Sequence, residues 1–463
     1  MKVIELLKNM GFLAIGGVST KIINFLLIPL YTAMISVEEY GSIDLLVTIS
    51  TLLTAIVSFQ MYEAIFKFVT VERENFHKVK RTLSNIFFFS MVICVVFGVV
   101  CVGTFQFFNF LGKWYVFLAV ISNIFFHTTT RASRSFGNNK LYSFAGFISA
   151  VISIFISILF LVILKFPAIS IVYAYVLGPV VGGMICVFRD RLWQYCDLSL
   201  VNITDIKIYF RYSLPLVPNE IAWWCIHAAD RLIITAFLGV YYTGLLAVAA
   251  KFSLAYSTIF GFFYASWAEQ CFLNYKKSAE RDHMEKLIPK IFMAFCYVTI
   301  IFMIIVSNIY PIVISYSYNE AYSLVPWYLI AVLLNVVVGL VSPIYLIHNE
   351  TKIVMYSTMV AGVINVVINI ITIEFLGVFS APVAAIIGYG IVAVWRWFDV
   401  KKRYMEVSFS YKGLLEVIVL GGASIYLYYC NSIEYRIIFS LTIPIVGLLI
   451  NHKKIYFYCS KIR

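Results

Sequence analysis

The chain is predicted to fold as an all-α polytopic membrane protein, on three observations. Apolar residues make up 62% of the sequence against 13% charged, mean hydropathy is +0.92, and apolar runs of helix-spanning length recur from end to end. A hydrocarbon core about 30 Å thick takes about 20 helical residues, which these runs supply. The 463 residues would otherwise suggest several soluble domains, but so few charges give none of them a water-facing surface. A soluble enzyme is excluded.

Hydropathy predicts fourteen spans: 11–35, 41–66, 84–107, 114–130, 141–164, 169–188, 213–238, 243–267, 288–314, 323–347, 353–375, 380–398, 413–430 and 436–452. Spanning backbone must satisfy its own hydrogen bonds, so runs this long are helices. The first is too long for a cleaved signal peptide and lacks a clear small-residue cleavage site, so it is expected to stay in the mature chain. The seventh and eighth are joined by a short turn and are expected to be antiparallel neighbours. The longest expected external loop is 315–322, so no loop holds a folded domain.

Lys and Arg total 35, and only Lys113, Lys165 and Arg436 sit at the outer side when the amino terminus is inside. Lys67, Arg73, Lys78, Lys80 and Arg81 fall in one expected cytoplasmic loop, and Lys276, Lys277, Arg281, Lys286 and Lys290 in another. Positive-inside bias therefore predicts both termini in the cytoplasm. Topology signals and contact with anionic lipid account for the net charge of +12, and no nucleic-acid partner is expected. Cys94, Cys101, Cys225 and Cys296 lie within spans at no metal-ligand spacing, so no metal and no cofactor is expected. The two Asn-x-Thr matches at Asn202 and Asn349 fall on the expected cytoplasmic side and are chance.

Two weak internal matches agree in direction. Thr32-Ala33, Val37 and Gly41 recur at an offset of 203 as Thr235-Ala236, Val240 and Gly244. Lys140, Val151 and Gly178 recur at an offset of 212 as Lys352, Val363 and Gly390. Together they predict a parallel repeat of six plus six helices with two appended. The expected organisation is a six-helix bundle over 1–188, a cytoplasmic linker over 189–212, a second bundle over 213–398, and two further helices with a basic tail over 399–463.

The segment Asn9 to Leu46, with Lys21, Pro29-Leu30-Tyr31-Thr32 and Glu38-Glu39-Tyr40-Gly41, resembles the opening of bacterial polysaccharide-transport flippases. Tyr212-Ser213-Leu214-Pro215-Leu216-Val217-Pro218, Asp230-Arg231 and Leu238-Gly239-Val240-Tyr241-Tyr242-Thr243-Gly244 look like that family's central motif. The family belongs to the superfamily that also holds multidrug extruders and lipid II flippases. The resemblance implies a V-shaped pair of bundles that moves a polyprenyl-diphosphate-linked oligosaccharide to the outer leaflet by alternating access, with no covalent chemistry. It also implies a polymerase and a chain-length regulator as partners alongside membrane lipids.

Independently of the family, Lys21, Arg231, Lys251 and Arg396 fall inside spans, where each costs roughly 2.5–3.5 kcal/mol at the centre on insertion scales. Lys21 is about 15 Å from the inner end of its helix, and Arg231 and Lys251 are about 10–12 Å from the outer ends of theirs, at ~1.5 Å per residue. These three are the candidate cationic lining for a diphosphate or an acidic sugar. Structural ion pairing is the open alternative: Asp230 is not expected to face its neighbour Arg231 on one helix, but it could reach Lys251 on the next and neutralise it. Arg396, near the cytoplasmic end, is expected to reach headgroups. Glu220, Trp224, His227 and Arg231 follow at helical spacing, so Glu220, Trp224, His227 and Asp230 are further candidates for the cavity lining. Pro29, Pro215 and Pro218 are candidate hinges. Gly178 and Gly182 are read as close-packing positions.

Two alternatives stand beside the flippase. A multidrug or cation antiporter would need an isolated carboxylate in the first bundle, whereas the first helix offers Lys21, and Asp44 and Glu63 lie near helix ends. A polyprenyl-sugar glycosyltransferase or polymerase would use Glu38 and Glu39 as acid and base, but the external loops are short for such an enzyme and these residues fit a helix cap. No Gly-x-x-x-x-Gly-Lys-Ser/Thr loop is present, which argues against ATP hydrolysis in cis.

Overall fold

The computed structural model describes residue 25 and residues 27–105, 112–274, 278–348, 350–405 and 411–430. Among these, every regular element is helical. Lys21 and the span 436–452 lie outside the described residues. Among the described residues, eight helical stretches are long and apolar enough to cross a membrane, or nine if a bent pair counts as one span. The helix holding the expected fourth span is not among them, because its second half carries His127, three threonines, Arg131 and Arg134. The chain divides into two compact units, Met1–Ala247 and Val248–Arg463.

The first unit opens with α1 (Ile28–Met34), which has Pro29 in its first turn, where a missing N–H breaks no helical bond. In α2 (Val37–Val57) a capping box closes the start: Ser36 Oγ accepts from Glu39 N at 3.2 Å while Glu39 Oε2 accepts from Ser36 N at 3.2 Å. Glu39 is thus a helix cap. The expected continuous span 41–66 is broken after Ser58. Phe59 and Gln60 adopt left-handed φ values of 48° and 56°, and the chain restarts as α3 (Met61–Glu72). The Phe59 ring packs against Phe210 at 5.2 Å and Phe89 at 6.2 Å, so tertiary packing holds a conformation that these residue types rarely adopt alone.

Next come α4 (Phe76–Phe105), α5 (Lys113–Ser135), α6 (Asn139–Ile158, continued by a π turn to Ile163) and α7 (Ile171–Arg189). Gly178 and Gly182 seat α7 on α6. A Cβ at Gly178 would lie 2.1 Å from Ser153 Oγ, and one at Gly182 would lie 2.8 Å from Ala145 O.

Residues 192–213 belong to this unit rather than hanging as loose linker. Buried Ser84 donates to Tyr195 O at 2.7 Å and accepts from Asp197 N at 3.0 Å. Asn85, fully buried, donates to Leu200 O and accepts from Asn202 N. Lys80 pairs with Asp197 at 2.7 Å, and Arg81 pairs with Asp205. This polar lacing anchors α8 (Ile203–Ser213), which leads into α9 (Leu216–His227) and α10 (Ala229–Leu238).

The expected straight seventh helix is also broken, with a 52° bend at Ala228, whose φ and ψ are −142° and −18°. Pro215 and Pro218 stand at the start of α9, away from that bend. The opening turns of α11 (Val240–Asn274) complete the unit against α2. A Cβ on Gly41 would lie 2.2 Å from Val240 O, and one on Gly244 would lie 2.0 Å from Val37 O. Of the residues that match at offset 203, Val37 and Gly41 therefore meet Val240 and Gly244.

The second unit holds the rest of α11 with α12 (Ser278–Val313), α13 (Asn319–Tyr322), α14 (Val325–Ile347), α15 (Thr351–Leu376), α16 (Ser380–Arg403) and α17 (Tyr411–Tyr428). Tyr322 and Tyr428 stack at 4.1 Å and exchange hydroxyl-to-carbonyl bonds, which fixes α17 to the end of α12 and α13.

Candidate functional site

The polar residues inside the first unit gather where its two broken helices meet. At Ala228 the bend opens the end of α9, and Arg231 folds back to fill it. Its Nη1 donates to His227 O at 2.8 Å and to Asp230 Oδ1 at 2.8 Å, while its Nε donates to Asp44 Oδ2 on α2 at 2.9 Å. Arg231 and both carboxylates are largely buried, with side-chain exposures of 13%, 14% and 10%. The expectation that adjacent residues Asp230 and Arg231 do not meet is corrected here. It assumed a straight helix, and the break places Asp230 in the first turn of α10, within reach of a guanidinium that curls toward the open carbonyl. Arg231 is thus held by carboxylates.

The expected stripe on one face is divided by the same bend. His227 stacks on Trp223 at 5.6 Å with rings 6° from parallel, and Trp224 turns away to donate from Nε1 to Thr48 O at 3.2 Å. Glu220 remains exposed on α9.

A second cluster lies on α3, α5 and α9. Arg131 Nη2 bonds Glu63 Oε1 at 2.6 Å, and Glu220 stands within electrostatic reach of both. Tyr62, 8% exposed, stacks on His127 at 5.0 Å. Sequence reasoning missed this group. Arg131 sits one residue past the expected span 114–130, and Glu63 and Asp44 were set aside for lying near helix ends. The run His127 to Arg131, polar inside an otherwise apolar helix, was the available signal.

In the second unit Lys251 is half-buried on α11. Arg396 is 2% exposed, which corrects the expectation that it reaches headgroups. Its Nε and Nη2 donate to Ser357 Oγ, Nη1 to Ser342 Oγ, and Nη2 also to Val354 O and Thr358 Oγ1, all within 3.0 Å. The hydroxyls of α14 and α15 reach it before the bilayer surface does. Among the described residues no group of three or more His, Cys, Asp or Glu side chains gathers as a metal site.

The fold has known relatives. The lipid II flippase MurJ in an inward closed conformation superposes with a TM-score of 0.73 at 16% identity, covering 97% of this chain and 99% of that one. An inward-facing multidrug resistance MATE family transporter of the MOP superfamily follows with 0.64 at 13% identity, covering 87% and 96%. A MOP superfamily transporter from Pyrococcus furiosus gives 0.55 at 14%, covering 89% and 96%. At these identities the likeness shows the fold alone. No curated protein matches the sequence. With several helices long and apolar enough to span, the chain is a multi-pass membrane protein, and, with the family model for polysaccharide biosynthesis proteins matching residues 6–267, it belongs to that family.

Proposed function

We propose that the protein translocates polyprenyl-diphosphate-linked oligosaccharides from the inner to the outer leaflet of the cytoplasmic membrane by alternating access, with both termini in the cytoplasm. The observation that carries this reading is the match of residues 6–267 to a polysaccharide biosynthesis family, on a chain whose fold resembles a lipid II flippase over nearly its whole length. The organisation into bundles over 1–188 and 213–398, joined by 189–212 and followed by 399–463, belongs to the same proposal. Lys21, Arg231 and Lys251 are the proposed cationic lining, with Glu220, Trp224, His227 and Asp230 around it. In that lining Arg231 acts as the centre of a charged network rather than as a bare cation, since Asp44 and Asp230 already hold it.

Cells lacking the protein are expected to accumulate completed lipid-linked repeat units on the cytoplasmic face. Accumulation of incomplete glycans instead would favour a glycosyltransferase. In the same cells Lys21→Ala is expected to lose surface glycan at normal membrane abundance, and Lys21→Arg to keep substantial export, because charge and donor capacity remain. Full export by well-expressed Lys21→Ala would remove Lys21 from the mechanism.

A further inference from the structure

The connector that leaves α7 and returns as α9 has its charges sorted by side. Its acids are all engaged within the first unit: Asp190 accepts from Asn138 Nδ2 at 2.7 Å, Asp197 pairs with Lys80, and Asp205 pairs with Arg81. Its bases, Arg189, Arg191, Lys207 and Arg211, are exposed, and none has a carboxylate partner among the described residues. The segment thus turns a net positive charge outward.

Helix α8 sorts its apolar side chains the opposite way from a helix in water. The inner face is held by polar and aromatic contacts: Tyr209 Oη meets Thr82 Oγ1 at 3.1 Å, Ser213 is fully buried, and Phe68 packs on the rings of Tyr209 and Tyr212. The outer face carries Ile203, Lys207, Arg211 and Leu214 at spacings of four, four and three, with Ile208 beside them, and all five are exposed. Ile203 is 72% exposed, Ile208 52%, and Leu198 just before the helix 76%. A water-facing helix turns such residues inward, and a contiguous apolar patch left outward marks an interaction surface. Isoleucines flanking a basic stripe suit the boundary between headgroups and acyl chains, where Lys and Arg reach phosphate along their own methylenes. Chain continuity puts α8 at such a boundary. Ile203–His227 and Ala229–Leu238 together pass as one bent span, so α8 is the end of a membrane crossing.

We propose that the outer face of α8, extended by Leu198, is a docking surface for anionic phospholipid headgroups. Lys207 and Arg211 pair with the phosphates, while Leu198, Ile203 and Ile208 enter the upper acyl region. Because the inner face is fixed to α3 and α4, a lipid bound here grips the first unit and not the connector alone. The leaflet, the cytoplasmic one, rests on the proposed orientation of the chain; the preference for anionic lipid does not.

Photo-crosslinking tests this on the purified full chain in nanodiscs of equal phosphatidylglycerol and phosphatidylcholine with matched acyl chains. Benzoyl-phenylalanine replaces Ile208, and adducts are identified by mass spectrometry. Phosphatidylglycerol adducts are expected to exceed phosphatidylcholine adducts by about five-fold or more, the preference that one basic residue gives at an anionic surface. The same probe at Val363, exposed in a span of the second unit, is expected to give the two lipids in membrane proportion. Lys207→Gln with Arg211→Gln should abolish the preference at Ile208, and the charge-keeping swap Lys207→Arg with Arg211→Lys should retain it. Both residues are exposed, so these variants keep the fold, and gel filtration verifies this. Equal adducts of the two lipids at Ile208, the same preference at Val363, or a preference that survives the glutamine pair would overturn the proposal. Adducts to a second protein chain in place of lipid would also overturn it, assigning the face to a protein partner. The assay contains no cargo and reads no transport, so its failure leaves the export reading standing, and loss of export is scored separately in cells lacking the protein.

Discussion

The buried arginines of the two units are neutralised in opposite ways. Arg231 in the first unit is held between two carboxylates from α2 and α10. Arg396 in the second is surrounded by three hydroxyl groups and a carbonyl, with no carboxylate among the described residues bonded to it. Asp399, one turn along, bonds instead to Tyr345 at 2.9 Å and Arg403 at 2.8 Å. The difference teaches what each arginine leaves behind when removed. Losing Arg231 strands two buried anions, whereas losing Arg396 strands oxygens that already bond within their own helices, as Ser357 does to Ile353 O and Ser342 to Val338 O. The first unit has a charged network around its arginine. The second has a neutral clasp between α14, α15 and α16.

The largest effect is therefore expected from Arg231→Met, about 3–5 kcal/mol of lost stability, on the scale of breaking one side of a buried pair. Adding Asp44→Asn should recover part of it. Arg396→Met is expected to cost less, about 1–3 kcal/mol, through lost hydrogen bonds and imperfect packing. Thermal unfolding of the purified variants in one detergent checks the order, and equal losses would break the comparison.

A middle-sized effect is expected at the helix crossing of the first unit. Gly41→Ala places a methyl group against Val240 O, and overpacking of this kind costs about 1–3 kcal/mol. Gly261→Ala in the second unit meets nothing within 4 Å and should be neutral or stabilising by about 0.5–1 kcal/mol. Melting temperatures of the two variants, shifted in opposite directions, are the expected readout.

The smallest effect concerns the polar lacing of residues 192–213. The hydrogen bond from Lys80, joined by those from Ser199, holds the Asp197 carboxyl down at about 2. Because the folded value lies below the unfolded value of about 3.9, its contribution is complete above pH ~4 and fades as pH falls through about 2. Asp197→Asn should accordingly lower the melting temperature slightly at pH 7 and match the wild type at the acid end of that window. A constant difference across the whole range would show that Asp197 acts through packing alone.

The all-helical membrane fold was legible in the sequence because the bilayer imposes a length and an apolar character that a window of residues reveals. The breaks were not. The turn at Phe59 and Gln60 carries no glycine or proline, and is held by rings from α4 and α8 that no local reading includes. The bend at Ala228 likewise lies ten residues past Pro218, where the sequence offers an alanine. At the candidate site, insertion cost singled out Arg231 and Arg396, since a charge in an apolar run is visible locally. Their environments were not visible, because Asp44 is 187 residues from Arg231 and the hydroxyls around Arg396 are 38 to 54 residues away.

The crossing of α2 and α11 carries one more consequence. Val37 abuts Gly244 as Val240 abuts Gly41, so each glycine makes room for the backbone of the other's helix. The contact is reciprocal, and the separation of the two helices is therefore set at two points rather than one. A methyl group added at either glycine would push against a carbonyl that cannot turn aside, and relieving one side would leave the other still closed.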